Sequence, residues 1–314
     1  MADSTEGDTD VLYLVPTLIA LIAGLVTHSF IIGVNVTDWW KGRSVTSVDH
    51  IVTSLGISRI CSQCANTLYL FIYPLSRKNM DSRGIVYDLL IHANMWLTSL
   101  LCIVLCLKIS NFHSRLFLYL RGMILHRTVY FIGASVLLSA VNSLITFLLA
   151  IPKISSGGTY NTTMDNLFMD CMFINSVYNV TIGVSFPLLF YCISSVLLFT
   201  SLYHHTTKMK RSRNLSINLE TYYSVMKFIS ITFIYNTVYF ICYICCILHY
   251  YVYCMMPAWL LIVLDFLPVL HSSYQIYKTA KLRSQMSKVL QNVLNFVFQR
   301  KDTETRENIE VIAL

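Results

Sequence analysis

Charge is scarce in this sequence. Charged residues make up 12% of the 314 positions and hydrophobic residues 55%, whereas soluble domains carry about a quarter charged residues. Most of the chain must therefore face a medium other than water. The net charge of +7 is spread over the segments between apolar runs and forms no basic patch, so we expect no nucleic-acid partner.

Patterns that bind metals, cofactors or phosphate are missing as well. The ten cysteines include one C-x-x-C pair, Cys61 and Cys64, without the second pair that such a zinc site requires. Neither a phosphate-binding loop nor a nucleophile with an adjacent base is recognisable, so we expect no enzyme, no cofactor and no metal. Cys171 and Cys254 fall near predicted outer helix ends. The sequence is compatible both with a disulfide between them and with two free thiols.

Long apolar runs dominate the chain instead. Each crossing of a bilayer takes about 20 mostly apolar residues, and backbone polar groups in lipid must be satisfied within a helix. Seven runs meet this length, at residues 11–36, 51–75, 85–111, 128–151, 171–203, 228–250 and 257–277. The sequence therefore predicts an all-α membrane protein, a seven-transmembrane helix bundle over residues 11–277.

The distribution of Lys and Arg predicts how the bundle is oriented. Most of them lie in the first, third and fifth connecting segments and after residue 277, and few lie in the other connections. Basic loops stay in the cytoplasm. Residues 1–10 are therefore predicted to be extracellular, and residues 278–314 are predicted to form a cytoplasmic tail.

The predicted tail begins with an amphipathic helix. Apolar residues recur every three or four positions, and they are Leu282, Met286, Val289, Leu290, Val293, Leu294 and Val297. A basic helix of this kind lies on the anionic inner leaflet, which makes membrane lipid a predicted partner. The alternative is a soluble helix that packs on the cytoplasmic loops.

Arg59 is predicted to lie near the middle of the membrane. It follows Asp49 by ten residues, which is about 15 Å along a helix, and an ionisable group at that depth is costly and usually functional. Its expected partners on the first and last spans are His28, Asp265, His271 and Ser272. This cluster is either an activation switch or a static polar contact between helices. Asp265 either contacts a cationic ligand or bonds a neighbouring helix.

Trp96 is predicted to lie about 16 Å below the start of the third span, which is deeper than an interfacial tryptophan. It either lies at the bottom of a ligand cavity between the helices or is a packed core aromatic residue. Polar and aromatic residues expected to line the same cavity are His92, Asn94, Tyr178, Thr181, Asn236, Tyr239 and Tyr243.

Several segments resemble motifs of the vertebrate bitter taste receptors, in the family's order and over nearly the whole chain. They are Asp38-Trp39-Trp40-Lys41, Leu55-Gly56-Ile57-Ser58-Arg59, Trp96 with Leu107-Lys108-Ile109-Ser110-Asn111-Phe112, Ser201-Leu202 with His205-Thr206, and His271-Ser272 with Lys281-Leu282-Arg283. The chain departs from the family at His28 and Thr279, where the family has Asn. The D-R-Y, C-W-x-P and N-P-x-x-Y signatures of rhodopsin-like receptors are missing from the corresponding spans.

The resemblance implies a G-protein-coupled receptor of the plasma membrane that binds small bitter compounds in the upper bundle. It also implies activation of a heterotrimeric G protein of the gustducin type and glycosylation of Asn161, which opens an acceptor sequence with Thr162 and Thr163. Basic residues expected to contact the G protein, or alternatively lipid headgroups, are Lys108, His205, Lys210 and Arg211. A vomeronasal type-1 pheromone receptor and a seven-helix transporter are the alternative functions.

Overall fold

The computed structural model describes residues 3–72, 81–110, 114–155, 179–211, 216–253 and 257–312. These residues are nearly all helical. The α-helices are α1 (Asp3–Trp40), α2 (Ser47–Ile72), α3 (Asp81–Ile109), α4 (Arg115–His126), α5 (Thr128–Ser155), α6 (Phe186–Arg211), α7 (Ser216–Tyr253), α8 (Ala258–Lys278) and α9 (Ala280–Ile312). A π-helical turn, Asn179–Ser185, leads directly into α6. Met1–His271 forms one compact unit, and Ser272–Leu314 forms a second.

The connection between α1 and α2 is fixed by two local signals. Gly42 has a φ of 68°, and the Arg43 N–H donates to the Asp38 carbonyl at 3.0 Å, which is the pattern of a Schellman C-cap. The side chain of Asp49 accepts a hydrogen bond from the Thr46 N–H at 2.9 Å, and the Asp49 N–H returns one to the Thr46 hydroxyl. This reciprocal cap starts α2 at Ser47.

Exposed faces of the helices are apolar, which is the reverse of a soluble protein. On α1, Val15, Ile19, Ile22 and Val26 are all more than half exposed, and their spacing places them on one face. Buried polar residues on the helices of the first unit include Asn35, Gln63, Asn94, Asn142 and Asn236. An apolar outside around a polar inside is the arrangement of a helix bundle in lipid.

Six described helices are long and apolar enough to cross a membrane, and they correspond to α1, α3, α5, α6, α7 and α8. The remaining predicted span, which is the second along the chain, corresponds to α2. This helix has 26 residues and is about 39 Å long. It packs against α1 and α3. Its hydropathy is lowered by a buried polar face that includes Ser58, Arg59, Ser62, Gln63 and Asn66.

Two apolar clusters hold the bundle together around this polar face. The larger one joins α3, α6, α7 and α8, with Met95, Tyr191, Phe240 and Leu264 among its buried members. A smaller cluster joins α3, α6 and α7 toward the ends where α3 and α6 finish, through Cys106, Leu198, Leu202 and Ile229.

The short helix α4 was not among the sequence predictions. It has 12 residues, too few to cross a bilayer. Ser114 caps its first turn by accepting a hydrogen bond from the Phe117 N–H, and the Ser47 hydroxyl donates to the Leu125 carbonyl at its other end. The start of α2 is therefore joined directly to the end of α4.

Candidate functional site

Arg59 on α2 and His271 on α8 meet inside the bundle. The guanidinium Nη1 lies 3.1 Å from Nδ1 of His271, and both side chains are buried. Arginine has donors only, so Nδ1 of His271 must be the acceptor and the imidazole must be neutral. The hydrogen bond therefore joins α2 to α8 without supplying a negative charge.

His28 on α1 lies close to this pair. Its side chain is fully buried, and it is near enough to interact electrostatically with Arg59 and His271. Within the described part of the chain, neither ring nitrogen of His28 has a hydrogen-bond partner. The structure thus brings together Arg59, His28 and His271 of the predicted polar cluster. A further member, Ser272, is buried and begins the second unit.

Asp265 forms a second link between α2 and α8. Its Oδ2 accepts a hydrogen bond of 2.6 Å from Nδ2 of Asn66, and its backbone carbonyl accepts one of 3.0 Å from Nε2 of Gln63. Gln63 lies so close to Gly24 on α1 that a Cβ added there would meet its side chain at 2.0–2.8 Å. The Asp265 carboxylate thus accepts a hydrogen bond from a neighbouring helix.

The next polar contacts join α2 to α3. Nδ2 of Asn94 lies 3.1 Å from the Ser62 hydroxyl, which itself donates to the Arg59 carbonyl at 3.0 Å. The Ser58 hydroxyl donates to the Leu90 carbonyl at 3.3 Å. Asn94 on α3 is therefore linked to the backbone carbonyl of Arg59 on α2 through the Ser62 hydroxyl.

A small cavity lies where these helices face α7. It has a volume of about 10 Å³ and is lined by Arg59, Asn94, Thr98, Tyr235, Asn236, Tyr239, Leu267, Pro268 and His271. A volume of this size holds about one water molecule. Of the residues predicted to line a ligand cavity, Asn94, Asn236 and Tyr239 lie here.

His92 belongs to a separate cluster. Its ring lies between Asn142 on α5, at 3.4 Å from Nδ1, and the Tyr243 hydroxyl on α7, at 3.5 Å from Nε2. A Cβ on Gly183 would lie 2.4 Å from the same ring. Glycine in the π-helical turn therefore permits the close approach of α3, and His92 joins four segments of the bundle.

Trp96 is half-buried and packs against α6. Its ring centroid lies 6.2 Å from that of Phe190, with an angle of 45° between the ring planes. Its indole Nε1 is buried and has no hydrogen-bond partner in the described part of the chain. Trp96 is not among the residues that line the cavity beside Arg59.

The remaining predicted site residues are described less fully. Lys108 is exposed at the end of α3, and His205 is half-buried on α6. Lys210 and Arg211 lie in the last turn of α6, and Thr181 lies in the π-helical turn; their side chains are outside the description. Tyr178, Asn161, Cys171 and Cys254 lie outside the described residues altogether.

Sequence reasoning overlooked several polar residues of the interior. Ser62, Gln63 and Asn66 follow Arg59 at intervals of three or four residues, which places all four on one helix face. That spacing was a usable signal for a polar stripe along α2. Thr98 and Tyr235, which complete the cavity, carry no comparable pattern.

The fold is that of a seven-helix G-protein-coupled receptor. The chain is similar to squid rhodopsin, with a TM-score of 0.59 over 91% of this chain and 87% of the rhodopsin chain. At 12% sequence identity, this likeness establishes the architecture and nothing further. The apolar exterior and polar interior agree with it.

Residues 6–294 match the family model described as Taste receptor protein (TAS2R). The chain belongs to this family of bitter taste receptors. It is 27% identical to taste receptor type 2 member 16 of Rattus norvegicus over 246 residues, which cover 74% of this chain and 78% of the relative. It is 33% identical to taste receptor type 2 member 110 of Mus musculus over 132 residues, or 40% of each chain.

Proposed function

We propose that this protein is a plasma-membrane receptor that binds small bitter compounds and activates a heterotrimeric G protein of the gustducin type. The observation that carries the proposal is the family match over residues 6–294, together with a rhodopsin-like fold. The abundance of Lys and Arg in the predicted inner segments supports an extracellular amino terminus and a cytoplasmic carboxyl end.

The ligand site of this proposal lies between the helices in the upper bundle. Its residues are Trp96, His92, Asn94, Tyr178, Thr181, Asn236, Tyr239, Tyr243 and Asp265. Support comes from the polar interior around Asn94 and Tyr239 and from the buried indole N–H of Trp96, which has no hydrogen-bond partner among the described residues. A drug-sized ligand takes about 300–1,000 Å³, which is more than the cavity beside Arg59 holds in the arrangement described here.

The activation switch of the proposal is Arg59 with His28, His271 and Ser272. An agonist shifts the receptor toward its active state only by binding that state more tightly. The Arg59–His271 hydrogen bond joins α2 to α8, so relative movement of these helices would lengthen or break it. This gives the resting and active states different interactions at a defined place.

Lys108, His205, Lys210 and Arg211 are the proposed G-protein contacts. Lys108 is exposed where α3 ends, and the other three lie in the last two turns of α6.

The exposed apolar residues of α9, which include Val289, Leu290, Val293 and Leu294, support a tail helix that lies on membrane lipid. Glycosylation of Asn161 completes the proposal.

The experiment is a panel of bitter compounds with a calcium readout, in cells that express the receptor and a gustducin-type G protein. Trp96→Ala is the paired variant, and Trp259→Ala is the matched control because Trp259 is 59% exposed on α8. At least one compound should activate the receptor, and Trp96→Ala should reduce its potency about tenfold or more. An unchanged potency removes Trp96 from the ligand site, and a silent receptor at normal surface expression overturns the proposed signalling.

A further inference from the structure

The cavity beside Arg59 has the chemistry of an anion site. One of its nine lining residues carries a permanent positive charge, and none of those nine described residues is a carboxylate. Asn94, Thr98, Asn236 and Tyr239 add amide and hydroxyl groups. A positive charge and several amide and hydroxyl side chains thus line one partly open cavity, and N–H and O–H groups of these kinds bind anions.

The neighbouring acid is directed elsewhere. Asp265 lies one turn before Pro268 on α8, but its carboxylate accepts the 2.6 Å hydrogen bond from Asn66 and is not part of the cavity lining. His271 is in the lining, and it accepts a hydrogen bond from Arg59 as a neutral ring. Neither group brings negative charge into the cavity itself.

Size restricts the occupant. The volume of about 10 Å³ suits a guest of about the size of one water molecule. Organic carboxylates and bitter compounds are too large, whereas a monatomic halide is only modestly larger than water. Membrane burial makes an isolated charge costly, so a bound anion beside the guanidinium would stabilise this arrangement of helices.

We propose that the cavity formed by Arg59, Asn94, Asn236 and Tyr239 binds a single chloride ion. The ion joins α2, α3 and α7, since those helices carry the four residues. It stabilises the arrangement in which Arg59 also bonds His271. Chloride binding does not depend on which bitter compound or G protein the receptor uses, so it can be tested separately from the proposed function.

The test measures the melting temperature of the purified full-length receptor in nanodiscs, without agonist or G protein. Chloride is titrated against isethionate at constant sodium concentration and ionic strength, because isethionate is too large for the cavity. Binding to the folded state should raise the Tm saturably, by roughly 2–4 °C. Bromide should act like chloride. A Tm that is the same in chloride and isethionate would overturn the proposal and leave a cavity for water only.

Two variants locate the effect. Asn236→Asp places a carboxylate in the cavity and should abolish the chloride dependence of Tm, because the fixed negative charge replaces the ion. Asn142→Asp is the matched control, since Asn142 is also buried but lies against His92; it should keep the full response. An Asn236→Asp receptor that responds like wild type would assign the effect to another site.

A third variant decides the matter if Asn236→Asp does not fold. Tyr239→Phe removes one hydroxyl from the cavity and keeps the ring in the apolar cluster. The chloride concentration at half-maximal effect should rise about tenfold, the equivalent of one hydrogen bond to an ion. Tyr87→Phe should leave that concentration unchanged, because the Tyr87 hydroxyl is buried outside this lining and has no hydrogen-bond partner in the described part of the chain. An equal response of both variants contradicts the proposed site.

Discussion

Asn66 on α2 donates a 2.6 Å hydrogen bond to the carboxylate of Asp265 on α8, and the two residues are 199 positions apart in the chain. Both side chains are buried. A carboxylate inside a membrane protein needs donors around it, because burial without them is costly. This pair therefore fixes the distance between the second and the last membrane helix of the bundle.

Asn66→Ala should destabilise the receptor by about 1–3 kcal/mol, because it leaves a buried acceptor without this donor. Asp265→Ala should cost a similar amount, and the double variant should cost clearly less than the sum, with a coupling of roughly 0.5–3 kcal/mol. The measurement is thermal unfolding in detergent. Thr67→Val is the control, because the Thr67 hydroxyl bonds only the Gln63 carbonyl of its own helix among the described contacts. Additive effects of the pair would contradict the assigned bond.

The sequence was sufficient to predict the membrane helices but not this pairing. Each span is a long apolar run, which length and hydropathy reveal without any knowledge of neighbours. The contact of Asn66 with Asp265 depends on how α2 and α8 are rotated, and hydropathy carries no such information. The polar stripe of α2 shows the limit, since it predicts a buried face but not which helix covers it.

Two buried histidines should respond oppositely to the same substitution. His28 and His92 are both fully buried, but neither ring nitrogen of His28 has a hydrogen-bond partner among the described residues, whereas His92 lies between Asn142 and Tyr243. His28→Leu removes unsatisfied polar atoms and should raise the free energy of unfolding by about 1 kcal/mol.

His92→Leu should instead lower the free energy of unfolding by about 1–3 kcal/mol, because it removes the hydrogen bonds of the ring with Asn142 and Tyr243. Each variant is the control for the other, since both change histidine to leucine inside the bundle. Melting temperatures of the two purified receptors decide the question. A His28→Leu receptor that is as destabilised as His92→Leu would show that His28 has a partner that matters.

Gly183→Ala should disturb the π-helical turn before α6. The added Cβ would lie 2.4 Å from the His92 ring and 3.1 Å from Nδ2 of Asn142, and overpacking of this kind costs about 1–3 kcal/mol. Gly133→Ala on α5 is the control, because nothing lies within 4 Å of its added Cβ; it should be neutral or slightly stabilising.

A second variant checks the cause of the Gly183 effect. In a His92→Ala background the ring is gone, so Gly183→Ala should cost clearly less than it does in the wild type. The quantity to compare is the change in free energy of unfolding caused by Gly183→Ala in the two backgrounds. Equal losses would place the clash elsewhere in the turn.

The Arg59–His271 hydrogen bond should hold the receptor in its resting state. A hydrogen bond to a charged group contributes about 1.5–3 kcal/mol, and a bias of 1.4 kcal/mol changes the ratio of two conformations about tenfold. His271→Ala removes the acceptor, so basal signalling per receptor at the cell surface should increase about tenfold from its low resting level. Leu270→Ala, at an exposed position of the same helix, should leave basal signalling unchanged.

Basal signalling is compared per receptor at the cell surface, so a loss of surface expression alone does not count as an effect. If basal signalling per surface receptor is the same in His271→Ala and in the wild type, the bond joins the helices equally in both states and has no role in switching.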